Sequence, residues 1–363
     1  MPTLDAHSLH AFVAEIFTAA GCSKEEGGRI AASLVAANLA GHDSHGVVRV
    51  PRYVAWLREG LVRADAAPVV ERETAISAVV DGCFGFGQIA APFAVRLGVE
   101  KAHASGLSAV ALKNAGHIGR VGEWAEMAAE QGMISIHFVN VKGSLLVAPF
   151  GGVDRRLSTA PFCLGVPIAG EGPIILDFAT SLVAEGKVLV ASHGGPAVPP
   201  DSLILPDGRF TGDPSALYGD LAQPERNPEG GEGAIRAFGL HKGSGLAVLC
   251  ELLAGALTGN GTAGPREGGR RRISNGMLSF YLRPDAIDRP DAFAARAQRF
   301  LALCRSSRPD RPGGEVLMPG DPERRIRAER ERDGIPLPLA VWEPLLATAG
   351  SVGLPPGRTP TPR

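Results

Sequence analysis

LSAVALKNAGHIGRVGEWAEMAAEQGMISIHFVN, residues 107–140, is the stretch of this sequence that decides the fold class. Its two ends, 107–113 and 133–140, are short apolar runs rich in β-branched residues, which is typical of buried strands. Glycines follow the first run, and the segment around Trp124 and Met127 has the pattern of a helix. A strand, a turn, a helix and a second strand in this order predict a βαβ unit, and therefore an α/β fold.

The same alternation of short apolar runs and helical segments continues on both sides of this unit. Short apolar runs between helical segments are what a sheet covered by helices requires. The predicted strands are 75–80, 163–168, 173–178 and 277–282, and the predicted helices are 88–105 and Gly245 to about Thr258. The Pro- and Gly-rich residues 194–233 predict a long irregular region, and loops of that length are usually functional or mobile.

Both ends of the chain are predicted to be helical. Leu9, Phe12, Val13, Ile16 and Phe17 follow the spacing of one helix face, and Ser23 with Glu26 forms a capping-box pattern before a second helix. Residues 291–305 and 322–333 also have helical patterns, and Glu323 and Arg327 are spaced as i,i+4 partners on a solvated face. We therefore expect a helical domain made of 1–73 with 284–350, an α/β domain of 74–283, and a disordered Pro-rich tail over 351–363.

Charge and cysteine content exclude several classes of protein. Across 363 residues, 37 Lys and Arg oppose 38 Asp and Glu, so the net charge is −1 and nothing overall attracts nucleic acid or an anionic membrane. The most apolar span, 243–264, carries Glu251 and Asn260 and predicts a buried helix rather than a membrane span. The five cysteines form no CxxC pair and the first residues lack a signal-peptide pattern, so we expect a cytoplasmic protein.

The polar turn Gly41–Gly46, GHDSHG, is the first candidate for chemistry. It combines two imidazoles, a carboxylate and a hydroxyl, and a neutral histidine can accept or donate a proton near pH 7. A simpler interpretation is a capping turn in which Asp43 or Ser44 satisfies helix N–H groups. A third is a metal-dependent lyase or hydrolase that uses His42, Asp43 and His45.

Three further segments place polar groups beside glycines or at strand ends. In 114–122, His117 lies in a glycine-rich strand-to-helix turn, which suits an anion or, more simply, is a turn with a solvent-facing histidine. In 174–181 an apolar strand ends in Asp177, Thr180 and Ser181, groups that bind sugars or phosphates or that cap the next helix. Residues 240–245 carry a glycine-flanked lysine before a helix. The GxGxxG of 259–264 follows a helix, so we reject it as a Rossmann fingerprint.

Taken together, these segments resemble the malate/L-lactate dehydrogenase family, which lacks a Rossmann fold. The family includes malate, L-sulfolactate and ureidoglycolate dehydrogenases, 2,3-diketogulonate reductase and piperideine-2-carboxylate reductase. The matching segments are collinear and cover nearly the whole chain. They are GHDSHGVVRVPRY (41–53), NAGHIGRVGEWAEMA (114–128), APFGG (148–152), LDFATS (176–181), DGRFTGDP (207–214), HKGSGL (241–246), SNGMLSF (274–280) and MPGDPE (318–323).

The resemblance implies a homodimer with a non-Rossmann NAD(P)-binding α/β domain and a helical domain. The cofactor would be NAD or NADP, and the partner a small-molecule carboxylate substrate, without nucleic acid, membrane or metal. His45 resembles the family's proton donor and His117 its second active-site histidine, while Arg49 would hold the substrate carboxylate beside Ser44 and Tyr53. The residues expected to bind the cofactor are Gly119, Asn140, Thr159, Asp177, Ala179, Thr180, Lys242, Gly243, Pro319, Gly320 and Asp321.

Three short segments depart from the family's usual pattern. Ala115-Gly116 stands where Ser-Asn commonly precedes the second histidine, Ala160 replaces Asn, and Asp321 replaces Glu. Each change removes or shortens a polar group near the expected cofactor and substrate. A non-catalytic, ligand-binding paralogue is therefore an alternative. The sequence leaves open which oxo, hydroxy or imino acid is used, whether NAD or NADP serves, and which direction dominates.

Overall fold

The computed structural model describes residues 1–223, 226–264 and 272–362. Helices and strands alternate through most of the chain. The strands are β1 (Thr3–Leu4), β2 (Val69–Glu73), β3 (Ser77–Asp81), β4 (Leu107–Ala115), β5 (Ile134–Lys142), β6 (Val147–Ala148), β7 (Pro161–Val166), β8 (Ile174–Ala179), β9 (Leu203–Ile204), β10 (Phe210–Thr211), β11 (Ala234–Arg236), β12 (Ser274–Leu282) and β13 (Ile335–Pro336). The helices are α1 (Ala6–Ala19), α2 (Lys24–Leu39), α3 (Val50–Arg58), α4 (Gly87–Ser105), α5 (Gly122–Glu130), α6 (Glu185–Ser192), α7 (Ser215–Tyr218), α8 (His241–Cys250), α9 (Pro290–Arg305), α10 (Asp321–Asp333) and α11 (Leu339–Ser351).

Seven strands form the main sheet, in the order β2-β3-β4-β12-β5-β7-β8. β3 and β4 are parallel neighbours joined by α4, whereas β12 lies between β4 and β5 and is antiparallel to both. The predicted strand–helix–strand order of 107–140 and the α/β class are therefore confirmed. However, β4 and β5 are not paired with each other, because a strand from much later in the chain separates them.

The two faces of this sheet are covered by different helices. Val139 of β5 packs in a buried cluster with residues of α4 and α5, including Trp124. The next residue, Asn140, points to the opposite face because side chains alternate along a strand, and there it contacts the helix that follows α8. That helix is α-helical to Cys250 and π-helical over Glu251–Leu257. The helix predicted from Gly245 thus begins four residues earlier, at His241.

Both ends of the chain contribute to one separate apolar core. It contains buried residues of α1, α2 and α3 together with Ile335, Leu337 and Leu345 from the other end. β2, which was expected in the helical part, pairs with β3 in the main sheet. α9 contacts the sheet region instead of this core, since Gln298 donates to the carbonyl of Ala169 at 2.6 Å. The proposed domain limits remain a prediction.

The Pro- and Gly-rich residues 194–233, predicted to be irregular, include short regular elements among the described residues. β9, β10 and β11 lie within 194–233 or directly after it and form a four-stranded sheet with β6. For the tail, where we expected disorder, the structure has a 3-10 turn at Pro356–Arg358, and Arg358 pairs with Glu15 at 3.2 Å. Arg363 lies outside the described residues. Within the described part of the chain, no helix is long and apolar enough to cross a membrane.

Gly98 in α4 offers a test of how tightly helix and sheet are packed. A Cβ at this position would lie 2.2 Å from Cε2 of Tyr281, a fully buried ring on β12. We expect Gly98→Ala to lower the free energy of unfolding by about 1–3 kcal/mol, because overpacking forces side chains and backbone to shift. Chemical denaturation of the variant and wild type measures the difference.

The matched control is Gly28→Ala in α2, where an added Cβ meets nothing within 4 Å. This change should raise stability by roughly 0.5–1 kcal/mol, since alanine loses less backbone entropy than glycine in a helix. Equal effects of the two substitutions would contradict close packing between α4 and β12.

Candidate active site

The two candidate histidines come from different parts of the chain and meet face to face. His45 lies in a 3-10 turn, Asp43–His45, between α2 and α3, and His117 follows the end of β4. Their rings are stacked, with centroids 5.6 Å apart and planes 13° from parallel. The structure therefore brings together the two segments that the sequence singled out separately.

Hydrogen bonds define the tautomer of His117. The backbone N–H of Gly119 points to Nδ1 at 3.3 Å, and the Tyr53 hydroxyl lies 2.6 Å from the same nitrogen. A backbone N–H can only donate, so Nδ1 is an acceptor and the proton of the neutral ring is on Nε2. Gln88 donates to the Tyr53 oxygen at 3.2 Å, which leaves the tyrosine O–H to donate to His117.

Both imidazoles are held in the neutral form. Burial, and then the nearby Arg49 charge, lower the pKa of His117 to about 3. The pKa of His45 is also well below its usual value, because of burial and then because of Arg49 and His117. Burial raises the pKa of Tyr53 to about 12, so its hydroxyl stays protonated. At neutral pH the site offers two uncharged rings that can accept or donate hydrogen bonds.

Arg49 is anchored in a way that leaves its fork open. Its Nε donates to the carbonyl oxygen of Ser44 at 2.6 Å, and its terminal nitrogens make no hydrogen bond with any described residue. The Ser44 hydroxyl lies 3.0 Å from Nδ1 of His45. The two terminal NH₂ groups of this guanidinium, beside neutral imidazoles, suit a carboxylate, which accepts a bidentate pair.

Five of the eleven residues expected to bind a cofactor lie in or next to β8, an edge strand of the main sheet. Asp177 and Ala179 belong to this strand and Thr180 follows it, and Asp177 Oδ2 accepts the N–H of Gly122 at 2.7 Å. The Pro319 carbonyl accepts the N–H of Ile175 at 3.3 Å, and the Thr159 carbonyl accepts that of Thr180 at 3.0 Å. Strand ends and the turns beside them are where α/β proteins commonly bind ligands.

Lys242 and Gly243 reach the same region through an aromatic contact. Phe238 stacks edge-on against Phe178 of β8, with ring centroids 5.2 Å apart, and a Cβ on Gly243 would lie 2.2 Å from the carbonyl oxygen of Phe238. Only glycine allows this approach. Lys242 is exposed in the first turn of α8 and has no hydrogen-bond partner among the described residues. Its ammonium group is available to an anion.

Gly320 and Asp321 form the start of α10. Gly320 has φ 94°, in the left-handed region that favours glycine, and caps the helix without a side-chain bond. The Asp321 carboxylate accepts the N–H of Met318 at 2.8 Å and pairs with Arg324 at 2.5 Å. These two contacts, together with the Arg305 charge, hold the pKa of Asp321 below its usual value, against the opposing effect of burial.

Asn140, another residue expected to bind the cofactor, has its side chain hydrogen-bonded within the chain. Its fully buried amide donates to Glu251 and Gly261 and accepts from Asn260 and Gly276. Every hydrogen-bonding position of this side chain is therefore used within the chain, and the amide joins four distant segments. Sequence alone could not show this, because the four partners come from distant segments.

The same hydrogen-bond network also holds the loop that carries His117, on both sides of that residue. Asn275 donates to the Asn140 carbonyl at 2.8 Å and accepts the N–H of Ile118 at 2.9 Å. Asn260 accepts the N–H of Asn114 at 2.9 Å. The backbone on both sides of His117 is thus held by buried amides of β12 and the preceding loop.

The simpler interpretations of the candidate segments are wrong in three places. Asp43 does not cap a helix with its side chain, because it pairs with Arg330 at 2.6 Å, and Ser44 faces His45. His117 is half-buried rather than facing solvent. Thr180 and Ser181 do not cap the next helix, since α6 begins at Glu185 after Ala184 and their hydroxyls bond backbone carbonyls.

Sequence reasoning missed several residues at this site. Arg120 is buried next to Gly122, pairs with Glu126, and keeps an Nε without a partner. Gln88, at the start of α4, carries the hydrogen-bond chain through Tyr53 to His117. Their positions in the sequence could have marked both as candidate site residues. Arg120 lies within the glycine-rich turn after β4, and Gln88 directly follows the glycines after β3.

Two residues of the metal hypothesis already have charged partners. His42 Nε2 lies 3.1 Å from Glu323, and Asp43 pairs with Arg330 as described above. Across the residues that the structure describes, no group of three or more His, Cys, Asp and Glu side chains could hold a metal ion.

Comparison with known proteins identifies the class as dehydrogenases acting on hydroxy acids. The profile of the malate/L-lactate dehydrogenase family matches residues 4–346. Hydroxycarboxylate dehydrogenase B of Escherichia coli O157:H7 is 39% identical over 353 residues, covering 97% of this chain and 94% of that protein. L-sulfolactate dehydrogenase of Methanothermobacter thermautotrophicus is 33% identical over 344 residues, covering 93% of each chain.

Solved structures agree with these sequence matches. A malate/lactate dehydrogenase structure from E. coli superposes with a TM-score of 0.90 at 38% identity, covering 98% of this chain and 96% of that one. The Δ1-piperideine-2-carboxylate reductase of Pseudomonas syringae superposes with a TM-score of 0.82 at 30% identity, covering 96% and 100%. The chain belongs to the malate/L-lactate dehydrogenase family, and the predicted resemblance is confirmed.

The neutral histidines predict how stability depends on pH. His117 has a folded pKa of about 3 against 6.5 for the free side chain, so between these values the unfolded chain binds a proton that the folded chain does not. Stability should therefore fall as pH decreases from about 6.5 toward 3, by up to about 1.4 kcal/mol per pH unit for this residue. Above pH 6.5 the contribution is constant.

Urea unfolding at several pH values tests this expectation. His117→Gln should make the decrease in stability at acid pH shallower, whereas His7→Gln, at an exposed position on α1, should leave it unchanged. Identical pH slopes in His117→Gln and wild type would contradict a neutral His117.

Proposed function

We propose that this protein is an NAD(P)-dependent oxidoreductase that transfers a hydride between nicotinamide and the α-carbon of a small carboxylic acid. The substrate would be a 2-hydroxy or 2-oxo acid, or a cyclic imino acid. The observation that carries the proposal is the stacked, neutral His45–His117 pair beside the open fork of Arg49. Family membership supports the same reaction class.

The residues along β8 fit a dinucleotide cofactor. Asp177 gives one carboxylate oxygen to Gly122 and keeps the other, which suits a ribose hydroxyl. Lys242 offers an unpaired ammonium group, which suits a phosphate. Gly243 and Gly320 allow close backbone approach. When bound, the nicotinamide supplies or accepts the hydride, and the protein's task is to orient both reactants and to move a proton.

Arg49 would bind the substrate, and the two histidines would donate a hydrogen bond and transfer the proton. The Arg49 fork binds the substrate carboxylate and directs the α-carbon toward the two rings. His117 carries its proton on Nε2 and so can donate a hydrogen bond to the substrate oxygen. Nδ1 of His45 faces Ser44, so its Nε2 is the nitrogen free to exchange a proton with that oxygen.

Substrate binding would itself prepare His45 for proton transfer. In the free protein the positive charge of Arg49 helps to lower the pKa of His45. A carboxylate bound to Arg49 neutralises this charge, so the pKa of His45 rises when substrate is present. A base that strengthens on binding can accept the hydroxyl proton during oxidation and return it during reduction.

Cysteine chemistry supports a cytoplasmic location, which is also part of the proposal. All five cysteines are free thiols, and three of them are buried. Burial raises the pKa of Cys163 well above its usual value, so its thiol is unreactive. Proteins of reducing compartments keep thiols in this form.

An absorbance screen at 340 nm tests the function. NADH and NADPH are each combined with pyruvate, oxaloacetate, branched 2-oxo acids and cyclic imino acids. We expect oxidation of at least one cofactor with one of these acids. Binding of a cofactor or acid without turnover on any of them would favour a non-catalytic paralogue.

The role of His45 predicts a large effect on turnover with the fold intact. His45→Ala should lower kcat by about 10²–10⁴-fold, because the general acid–base group is lost. His7→Ala serves as the control, since His7 is exposed on α1. Near-normal turnover in His45→Ala would shift the proton-transfer role to His117.

We further propose a homodimer that uses one face of α8 and its π-helical extension. Val248, Leu249, Leu252 and Leu257 are 42–68% exposed, and the first three follow the i, i+1, i+4 spacing of one helix face. We expected this apolar helix to be buried on nearly all sides, and a single chain leaves these residues in water. A second copy packed here would bury an interface on the order of 2,000 Å².

Light scattering over a wide concentration range, with activity measured on the same samples, tests the dimer. We expect the mass of two chains, and dilution should reduce activity and thermal stability together. Leu252→Lys should favour the single chain, whereas Leu303→Lys, at another exposed leucine on α9, should not. A fully active species with the mass of one chain would contradict the proposal.

A further inference from the structure

One face of the charged helix α10 contacts three consecutive residues of the GHDSHG turn. The contacting residues are Glu323, Ile326 and Arg330, which share a helix face through i, i+3, i+7 spacing. Their partners are His42, Gly41 and Asp43, respectively. α10 is therefore not only a solvated helix, and Glu323 pairs with His42 rather than with Arg327 as its spacing predicted.

The contacts on this face differ in kind and together leave the turn little freedom. Arg330 binds both carboxylate oxygens of Asp43, at 2.6 and 3.0 Å, and also donates to the carbonyl of Asn38 at the end of α2. Such a bidentate pair fixes orientation as well as distance. At Gly41, which has φ 80°, the side chain of Ile326 lies so close that a Cβ would be 2.7 Å from it.

Inside the turn, the held residues are bonded directly to the catalytic segment. The N–H of His45 donates to the carbonyl of His42 at 2.9 Å, and the N–H of Gly46 donates to that of Asp43 at 3.1 Å. Asn38 donates to Asp43 at 2.6 Å and accepts the N–H of Val47 at 2.9 Å. Movement of His42 or Asp43 would therefore move His45.

We propose that α10 supports the catalytic turn, and that Glu323 and Arg330 are positioning residues for His45. Neither residue touches the substrate. Both hold the backbone from which the His45 ring stacks on His117. α10 also begins at the 319–321 turn, so the helix that contacts the GHDSHG turn carries expected cofactor residues at its N-terminus. The inference rests on the proposed function.

The test compares variants along α10. Arg330→Met removes the fork with little loss of volume, and Arg330→Lys keeps the charge but not the bidentate geometry. Glu323→Gln changes a single group and keeps a hydrogen-bond acceptor for His42, so it covers the case in which Arg330→Met fails to fold. Arg332→Met is the matched control on α10, where Arg332 is exposed and pairs with its neighbour Asp333.

Two readouts separate positioning from a purely structural role. The first is kcat, measured well below the unfolding temperature of each variant together with the Kd of NADH or NADPH. The second is the ¹³Cε1–¹Hε1 NMR spectrum of histidine-labelled protein, in which nine signals are expected and His45 is assigned with His45→Ala. His137, buried between Ser135 and Ser279, serves as the internal reference.

We expect Arg330→Met to lower kcat about ten- to hundredfold, with little change in cofactor Kd, because a reacting group is displaced while binding is kept. Its His45 signal should shift or broaden while that of His137 stays. Arg330→Lys and Glu323→Gln should show smaller losses of the same kind, and Arg332→Met none. Lower thermal stability with unchanged kcat and an unchanged His45 signal would overturn the proposal.

The NMR result is independent of the reaction. If wild type oxidises neither cofactor with any acid, the proposed function fails. A His45 signal that responds to Arg330→Met and not to Arg332→Met still supports the positioning role of α10. If wild type is active and the His45 signal is the same in all variants, the positioning role of α10 is contradicted and the proposed function stands.

Discussion

The insertion of β12 between β4 and β5 holds together both the main sheet and the loop that carries His117. Both neighbouring strands have a full row of backbone groups that only this later strand satisfies, over nine residues on the β5 side. At its start, Asn275 bonds Ile118 and Asn140, so the strand also holds the His117 loop. Without β12 the sheet would be divided, and the loop that carries His117 would lose its support.

The candidate site exists only where two separately built parts of the chain meet. Tyr53 and His45 come from the helical part of the chain. His117 follows strand β4 of the main sheet, and Gln88 lies in α4, which packs on that sheet. An ion pair between Arg29 and Glu123, at 2.6 Å, joins the same two parts nearby. Because this junction partly buries the imidazoles and lowers their pKa, it determines their neutral charge state as well as their distance.

Local packing accommodates the departures from the family's usual pattern at Gly116 and Asp321. Gly116, where the family commonly has Asn, donates to the carbonyl of Gly85 at 2.8 Å, and a Cβ there would lie 2.7 Å from that oxygen. The side chain of Asp321, shorter than the usual Glu, spans its own turn to Met318 and reaches Arg324. These positions are thus adapted to this chain and do not disrupt the neighbouring His117 or α10.

The amino-acid sequence was enough to predict the α/β class, six of the seven strands of the main sheet, most helices, the family, and the segments that carry His45, His117, Arg49 and Asp177. These follow from periodicity, glycine placement and collinear motifs, all of which are local along the chain. Tertiary contacts alone place β12 between β4 and β5, satisfy the Asn140 amide within the chain, and bring α10 against the GHDSHG turn. Each of these depends on pairing between residues more than a hundred positions apart, and local propensity contains no information on such partners.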